Sequence, residues 1–293
     1  MVVAEHDRRA WACRALGQTN VHSQGHGKAD WQTPCVIPIE DPADERLDVF
    51  RALHARESTE LVWAEGPTVV ERLIASPCPV RGVLMTPTAR RRFEPMVAAL
   101  DAPVYVAEQE VVTATVGFAL NIGILAVGER PALKPLADVL VDARLVVVLE
   151  NINDAVNLGA IARSARALGV DALVLDPTCA DPYYRRSVRV SMGEMLHIPI
   201  ARVDLGSGLH EMVAGGFDVW ALTPRGDATP IGQAVRDGVP ERLALVLGAE
   251  GPGLSDLVLA HHRNVCIPVR DDVDSLNVGH AAAAALAVVQ AFS

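Results

Sequence analysis

The chain has 293 residues, half of them hydrophobic, and a formal net charge of −10. That length allows one large domain or two of ordinary size, with a substantial buried core. The acidity argues against a protein that coats nucleic acid through counterion release, but it leaves room for local basic patches.

Residues 1–36 are polar and irregular, with Gly17, Gly25 and Gly27 and no apolar period, so a flexible N-terminal tail is expected. His22 and His26 in that tail do not read as a metal pair. No charged and then apolar leader opens the sequence, and the longest apolar runs, such as 281–289, fall short of a bilayer span. A soluble cytoplasmic protein without membrane contact is expected. The five cysteines, Cys13, Cys35, Cys78, Cys179 and Cys266, are scattered, with no C-x-x-C pair and no histidine cluster at zinc spacing. They read as reduced packing residues, and no metal is expected.

From 37 to 130 the pattern is mixed α/β. Residues 61–63 form a short apolar run, and 67–75 carry Val69, Val70, Leu73 and Ile74 at helical spacing. Strands are predicted at 80–85, 104–106 and 122–127. This makes a small N-terminal domain of a size that folds independently. Arg90, Arg91 and Arg92 form a basic run within it, readable as a solvated face or as a phosphate-binding patch. The charged, proline-containing stretch 128–135 leads through a linker assigned to 131–142.

After 142 the rhythm is regular. Residues 145–149 (LVVVL) form a continuous apolar run, as a central parallel strand covered on both faces requires. A helix is predicted over 157–168, stopping at Gly169, and a strand at 172–175. Arg185, Arg186 and Arg189 make a second basic cluster. Further strands are predicted at 197–201, 219–222, 243–247 and 265–267, with a last helix over 279–292. Such alternation predicts a parallel sheet with helices on both faces.

Three polar or glycine-rich islands interrupt this region where strands pass into helices: residues 157–163 (NLGAIAR), 247–253 (LGAEGPG) and 275–278 (SLNV). There an open α/β sheet exposes backbone to ligands. In the second island, glycines at a strand-to-helix turn permit close backbone approach. Its spacing is neither the dinucleotide G-x-G-x-x-G nor a P-loop, and a tight structural turn and a ligand loop both remain open. Glu250 among those glycines would repel phosphate and suit a cationic or hydroxyl-bearing partner. In the first island, at about 100° per residue, Leu158, Ile161, Ala165 and Leu168 share a face and Arg163 lies opposite. Arg163 is either a solvated charge or, with Asn157 at the helix entrance, a clamp for phosphate or a developing oxyanion. Around the third island one helix cap needs one residue, yet Asp272, Asp274, Ser275 and Asn277 crowd the site.

In this order and spacing the islands resemble the motifs of the SpoU (TrmH-type) branch of the SPOUT methyltransferases. The resemblance covers about residues 143–293, and L-G-A-E-G-x-G together with S-L-N-V is not a generic nucleotide-binding signal. More weakly, residues 50–127 resemble the ribosomal-protein-like RNA-binding domain that often precedes it. The resemblance implies a C-terminal trefoil-knotted α/β domain over 143–293 and a substrate-binding domain over 37–130. It also implies a homodimer, S-adenosyl-L-methionine as methyl donor, and a ribose 2′-hydroxyl of rRNA or tRNA as acceptor. Leu222, Thr223, Leu247, Gly248, Gly253, Ile267, Pro268 and Leu276 would hold the cofactor. Asn157, Arg163, Glu250, Ser275 and Asn277 would surround the reacting centre, and the two arginine clusters would touch RNA. A guanidinium, with its pKa above about 12, is a poor base. Arg163 is therefore expected to hold phosphate and stabilise alkoxide character while the other polar groups orient. Two other function classes stay open: a non-catalytic RNA-binding protein that retains the fold, and a dehydrogenase or NTPase, which would need a different glycine spacing or a P-loop lysine.

Overall fold

The computed structural model describes residues 36–54, 60–270 and 272–292. Apart from Val36, the expected tail over 1–36, with His22, His26, Cys13 and Cys35, lies outside the described residues. Two compact units are present, the first built from most of 36–129 and the second chiefly from 130–292.

Five strands come from residues 36–129: β1 (Val36–Ile39), β2 (Leu61–Glu65), β3 (Val80–Met85), β4 (Val104–Ala107) and β5 (Ile124–Glu129). They form one sheet in the order β1-β4-β3-β5-β2. β1, β4 and β3 run parallel, and β5 is antiparallel to β3. The helix Pro67–Ala75 has the bounds its spacing predicts and buries Val69, Val70 and Leu73. The helix Pro87–Val97 carries the Arg90 to Arg92 run and is capped by Thr86, whose side chain accepts the Ala89 N–H at 3.2 Å.

The second unit contains β6 (Leu145–Glu150), β7 (Ala172–Leu175), β8 (Ile200–Arg202), β9 (Asp218–Leu222), β10 (Thr229–Pro230), β11 (Leu243–Gly248) and β12 (Arg263–Cys266). The sheet order is β10-β12-β9-β11-β6-β7-β8, and every neighbouring pair is parallel. Val146, Val148, Val174, Ala244 and Val246 pack on one face with residues of the helices Leu136–Leu140, Leu205–Ala214 and Asp256–His261. On the other, the helix Val278–Gln290 contacts both Ala155–Ala167 and Ile231–Asp237 and also touches β11. With helices on both faces, β6 and β11 are apolar through their buried residues, as their sequences require.

Local rules place most boundaries. Asp154 starts the helix Ala155–Ala167 two residues before the predicted start, because its Oδ1 accepts the N–H of Val156 at 2.6 Å and of Asn157 at 3.0 Å. β8 begins at Ile200 rather than at 197, since His197 closes a short 3-10 turn, Glu194–Leu196. β12 ends at Cys266, one residue short of the predicted end. A five-residue helix, Leu136–Leu140, lies inside the stretch assigned as linker.

Strand order decides where a ligand could sit. From β6 the chain builds outward through β7 to β8, then crosses back to β9. β11 enters between β9 and β6, and β12 between β10 and β9. The carboxyl ends of β9, β11 and β12 thus finish side by side at Leu222, Gly248 and Cys266. A crevice at such a reversal of strand order is the usual ligand position in parallel sheets.

The helix Ala155–Ala167 is fixed against the helix Arg185–Val190 by a close approach at Gly159. A Cβ there would lie 2.7 Å from the Ser187 carbonyl oxygen and 2.8 Å from Val190 Cβ. Alanine is the better helix former by about 1 kcal/mol, yet Gly159→Ala should destabilise by about 1–3 kcal/mol through overpacking. The check is the urea midpoint, which should fall; an unchanged or raised midpoint would mean the neighbouring helix gives way freely.

Candidate active site

The three islands meet. Asn277 Nδ2 donates to Asn157 Oδ1 at 2.9 Å and to Glu250 Oε1 at 2.5 Å. Its Oδ1 caps the C-terminal helix, accepting the N–H of Gly279 at 3.0 Å and of His280 at 3.3 Å. One carboxamide therefore ties the start of one helix, the tip of the glycine loop and the start of another. Glu250 and Asn277 are exposed and Asn157 half-buried, so the cluster faces outward.

Arg163 lies six residues beyond Asn157, about 9 Å along the helix axis at 1.5 Å per residue. It is exposed and makes no hydrogen bond or ion pair with the described residues. One turn before it, Ala160 meets the C-terminal helix, where a Cβ on Gly279 would lie 3.1 Å from Ala160 Cβ. Helical side chains lean toward the N-terminal turn. The guanidinium therefore belongs to the surface over that crossing and leans toward the Asn157 end of the helix.

Beside the cluster, at the carboxyl ends of β9, β11 and β12, lies a cleft lined by Leu222, Thr223, Leu247, Gly248, Gly253, Ile267, Ser275 and Leu276. Pro224, Ala249, Glu250, Gly251, Leu254, Val269, Val278 and Ala281 complete the lining. All sequence-expected cofactor residues except Pro268 are in it; Pro268 is exposed and does not contribute. Ser275 falls on the cleft wall, whereas the hydrogen-bonded cluster is Asn157, Glu250 and Asn277. At Gly248 the loop closes on itself, since a Cβ there would lie 2.4 Å from the Gly253 carbonyl carbon. Gly253 has φ +71°, and open space lies where its side chain would project.

These walls fit a sulfonium nucleoside. Leu222, Leu247, Ile267 and Leu276 offer apolar surface, Thr223 and Ser275 offer hydroxyls, and Glu250 offers a negative charge at the rim. Among the described residues no group of three or more His, Cys, Asp or Glu could hold a metal ion.

Sequence reasoning missed the groups beneath the site. Asp176, buried at the end of β7, accepts the N–H of Asn151 at 2.8 Å, of Thr178 at 2.7 Å and of Cys179 at 2.8 Å. Asn151 has φ +55°, and from it the chain turns toward Asp154 and Asn157. Burial pushes the Asp176 carboxyl up, but its hydrogen bonds outweigh burial, with Thr178 Oγ1 first and the Asn151 N–H next, and hold it below the ordinary 3.8. The bonds to Thr178 and Cys179 are those of an ordinary local Asp turn, and no local pattern marks the bond to Asn151, 25 positions away.

The SpoU rRNA Methylase family matches residues 144–287. An uncharacterized tRNA/rRNA methyltransferase of Mycobacterium tuberculosis is 42% identical over 254 residues, covering 84% of this chain and 88% of its own. The chain belongs to the SpoU methylase family. A Bacillus subtilis relative, the 23S rRNA (guanosine(2553)-2′-O)-methyltransferase RlmP, is 29% identical over 256 residues, 84% of this chain and 96% of its own. Among solved structures, an AdoMet-bound rRNA methyltransferase from Sinorhizobium meliloti superposes with a TM-score of 0.74 at 22% identity. It covers 87% of this chain and 98% of its own, which establishes the shared fold.

Asp176 gives the site a pH dependence with a definite sign. A carboxyl depressed in the folded state stabilises fully above its unfolded pKa and loses that contribution as pH falls through its folded value. Stability should therefore decline as pH drops below the ordinary 3.8, and the Asp176→Asn variant should decline less steeply. Thermal melts of both proteins across acid pH check this; parallel curves would contradict it.

Proposed function

We propose that this chain is an S-adenosylmethionine-dependent RNA methyltransferase that methylates a ribose 2′-hydroxyl of rRNA or tRNA. The observation that carries the reading is the union of Asn157, Glu250 and Asn277 through one carboxamide, beside a glycine-walled cleft, in a SpoU family chain. The printed activity of the RlmP relative supports the 2′-hydroxyl as acceptor.

Leu222, Thr223, Leu247, Gly248, Gly253, Ile267 and Leu276 would hold the cofactor. Bound there, S-adenosylmethionine supplies an electrophilic methyl group. The protein then has to place the acceptor oxygen in line and stabilise charge that develops on it. Arg163, exposed and unengaged, supplies the positive charge for a neighbouring phosphate and for alkoxide character at the 2′-oxygen. Asn157, Glu250 and Asn277 hold one another in register and orient the acceptor, and Ser275 acts from the cleft wall.

The reading extends to the rest of the chain. Residues 37–130 would bind RNA, with Arg90, Arg91 and Arg92 on one helix; Arg185, Arg186 and Arg189 would contact it near the reacting centre. Gly159 packs against the helix that bears this second cluster, which supports that placement. A trefoil knot is supported by two late strands, β11 and β12, entering between neighbours and by the loops after them sharing one cleft. A homodimer is supported by the part-exposed alanine surface of the C-terminal helix. Among the described residues no helix is long and apolar enough to cross a membrane, and the scattered cysteines support a cytoplasmic setting.

Mapping 2′-O-methyl groups in RNA from cells with and without the protein identifies the target nucleotide. On that RNA, purified Arg163→Ala should lose about 10²–10³ in turnover, while S-adenosylhomocysteine binding stays near wild type. Wild-type turnover in this variant would contradict the role given to Arg163.

A further inference from the structure

Glu150 takes no part in the chemistry above, yet it stands at the centre of the site's scaffold. It ends β6 directly beside Gly248 of β11, and it is half-buried. Its Oε2 accepts the backbone N–H of Ser255 at 2.9 Å, across 105 residues of sequence. Ser255 is where the glycine loop leaves the cleft and enters the helix Asp256–His261.

The loop 248–255 is thus fixed at successive points. Its two arms meet where the Gly253 N–H donates to the Ala249 carbonyl at 3.0 Å and the backbone of 253–254 passes against Gly248. Its tip is held by Asn277 through Glu250. Its returning arm is held by Leu254, buried in the core, and by the Glu150 carboxylate. We infer that Glu150 is a positioning residue for the cofactor cleft, setting the level of the loop's returning arm and with it the Gly248–Gly253 wall. The cofactor part of this inference rests on the function proposed above.

The physical basis is a charge-assisted N–H to carboxylate bond, about twice as strong as a neutral one. Without it the returning arm gains freedom at a wall where the backbone itself forms the surface. Small displacements of such a wall are felt directly by a bound ligand.

Calorimetry with S-adenosylhomocysteine and amide hydrogen exchange on the full chain test this. Glu150→Ala should weaken binding about ten-fold, the worth of one such bond. It should also speed exchange at Ser255 while the amides of β6 and β11 stay protected. Glu150→Gln keeps an oxygen acceptor and should restore most of both properties. Ser255→Pro removes the donor instead, and Ser255 already has φ −65°, which proline adopts. In affinity it should match Glu150→Ala, and the double variant should bind no more weakly than either single change, since both cut one bond. Wild-type affinity and exchange in Glu150→Ala, or additive losses in the double variant, would overturn the inference. Should Glu150→Ala not fold, Ser255→Pro against Glu150→Gln decides: wild-type affinity in Ser255→Pro overturns it. If the wild type itself does not bind S-adenosylhomocysteine, the cofactor reading fails, and exchange at Ser255 still decides the role of Glu150.

Discussion

Asn277 uses both ends of its carboxamide at once. The oxygen caps the C-terminal helix, and the nitrogen reaches Asn157 and Glu250, which lie 120 and 27 residues earlier in the chain. An asparagine can do this because its acceptor and its two donors sit on one rigid plane. Aspartate would keep the cap and lose the donors, and serine would be too short to span the gap. The cluster therefore exists only when the C-terminal helix has docked beside the helix Ala155–Ala167 and β11 lies in place between β9 and β6.

That dependence makes the site a readout of sheet topology. The glycine loop can present Glu250 to Asn277 only if β11 ends level with β6, and the register pairing Gly248 with Glu150 provides that. The cleft then forms where β9, β11 and β12 stop together, with Thr223 following β9 and its N–H donating to Val265 at 2.9 Å. Below this plane Asp176 and Glu150 hold the loops by accepting backbone N–H groups. Above it the polar cluster and Arg163 remain open to a large partner. In an acidic chain an exposed, unengaged arginine such as Arg163 concentrates attraction for phosphate at one place rather than over the whole surface.

Much of this was legible in the sequence, for identifiable reasons. The LVVVL and LALVL runs could only be strands covered on both faces, and β6 and β11 are those strands. The islands stood out because Asn, Glu and Ser crowd with glycines at strand ends, more polar groups than one turn or one helix cap needs. What stayed hidden depends on side-chain reach between distant segments. Glu150 looked like the polar end of a strand, and Asp176 like the first residue of a loop. Ser275 and Asn277, two residues apart, could not be separated into cleft wall and polar cluster. His197 and Ile198 look like strand residues, but a short turn at Glu194–Leu196 delays the start of β8 to Ile200. The two-residue β10 carries too little sequence to be seen at all.

A crystal structure of the full chain with S-adenosylhomocysteine tests the central claim most directly. The result expected is the ligand bounded by Leu222, Leu247, Ile267 and Leu276, with Asn277 still joining Asn157 to Glu250 at its edge. A ligand bound elsewhere, or loops 248–253 and 267–277 lying apart from each other around it, would contradict the claim.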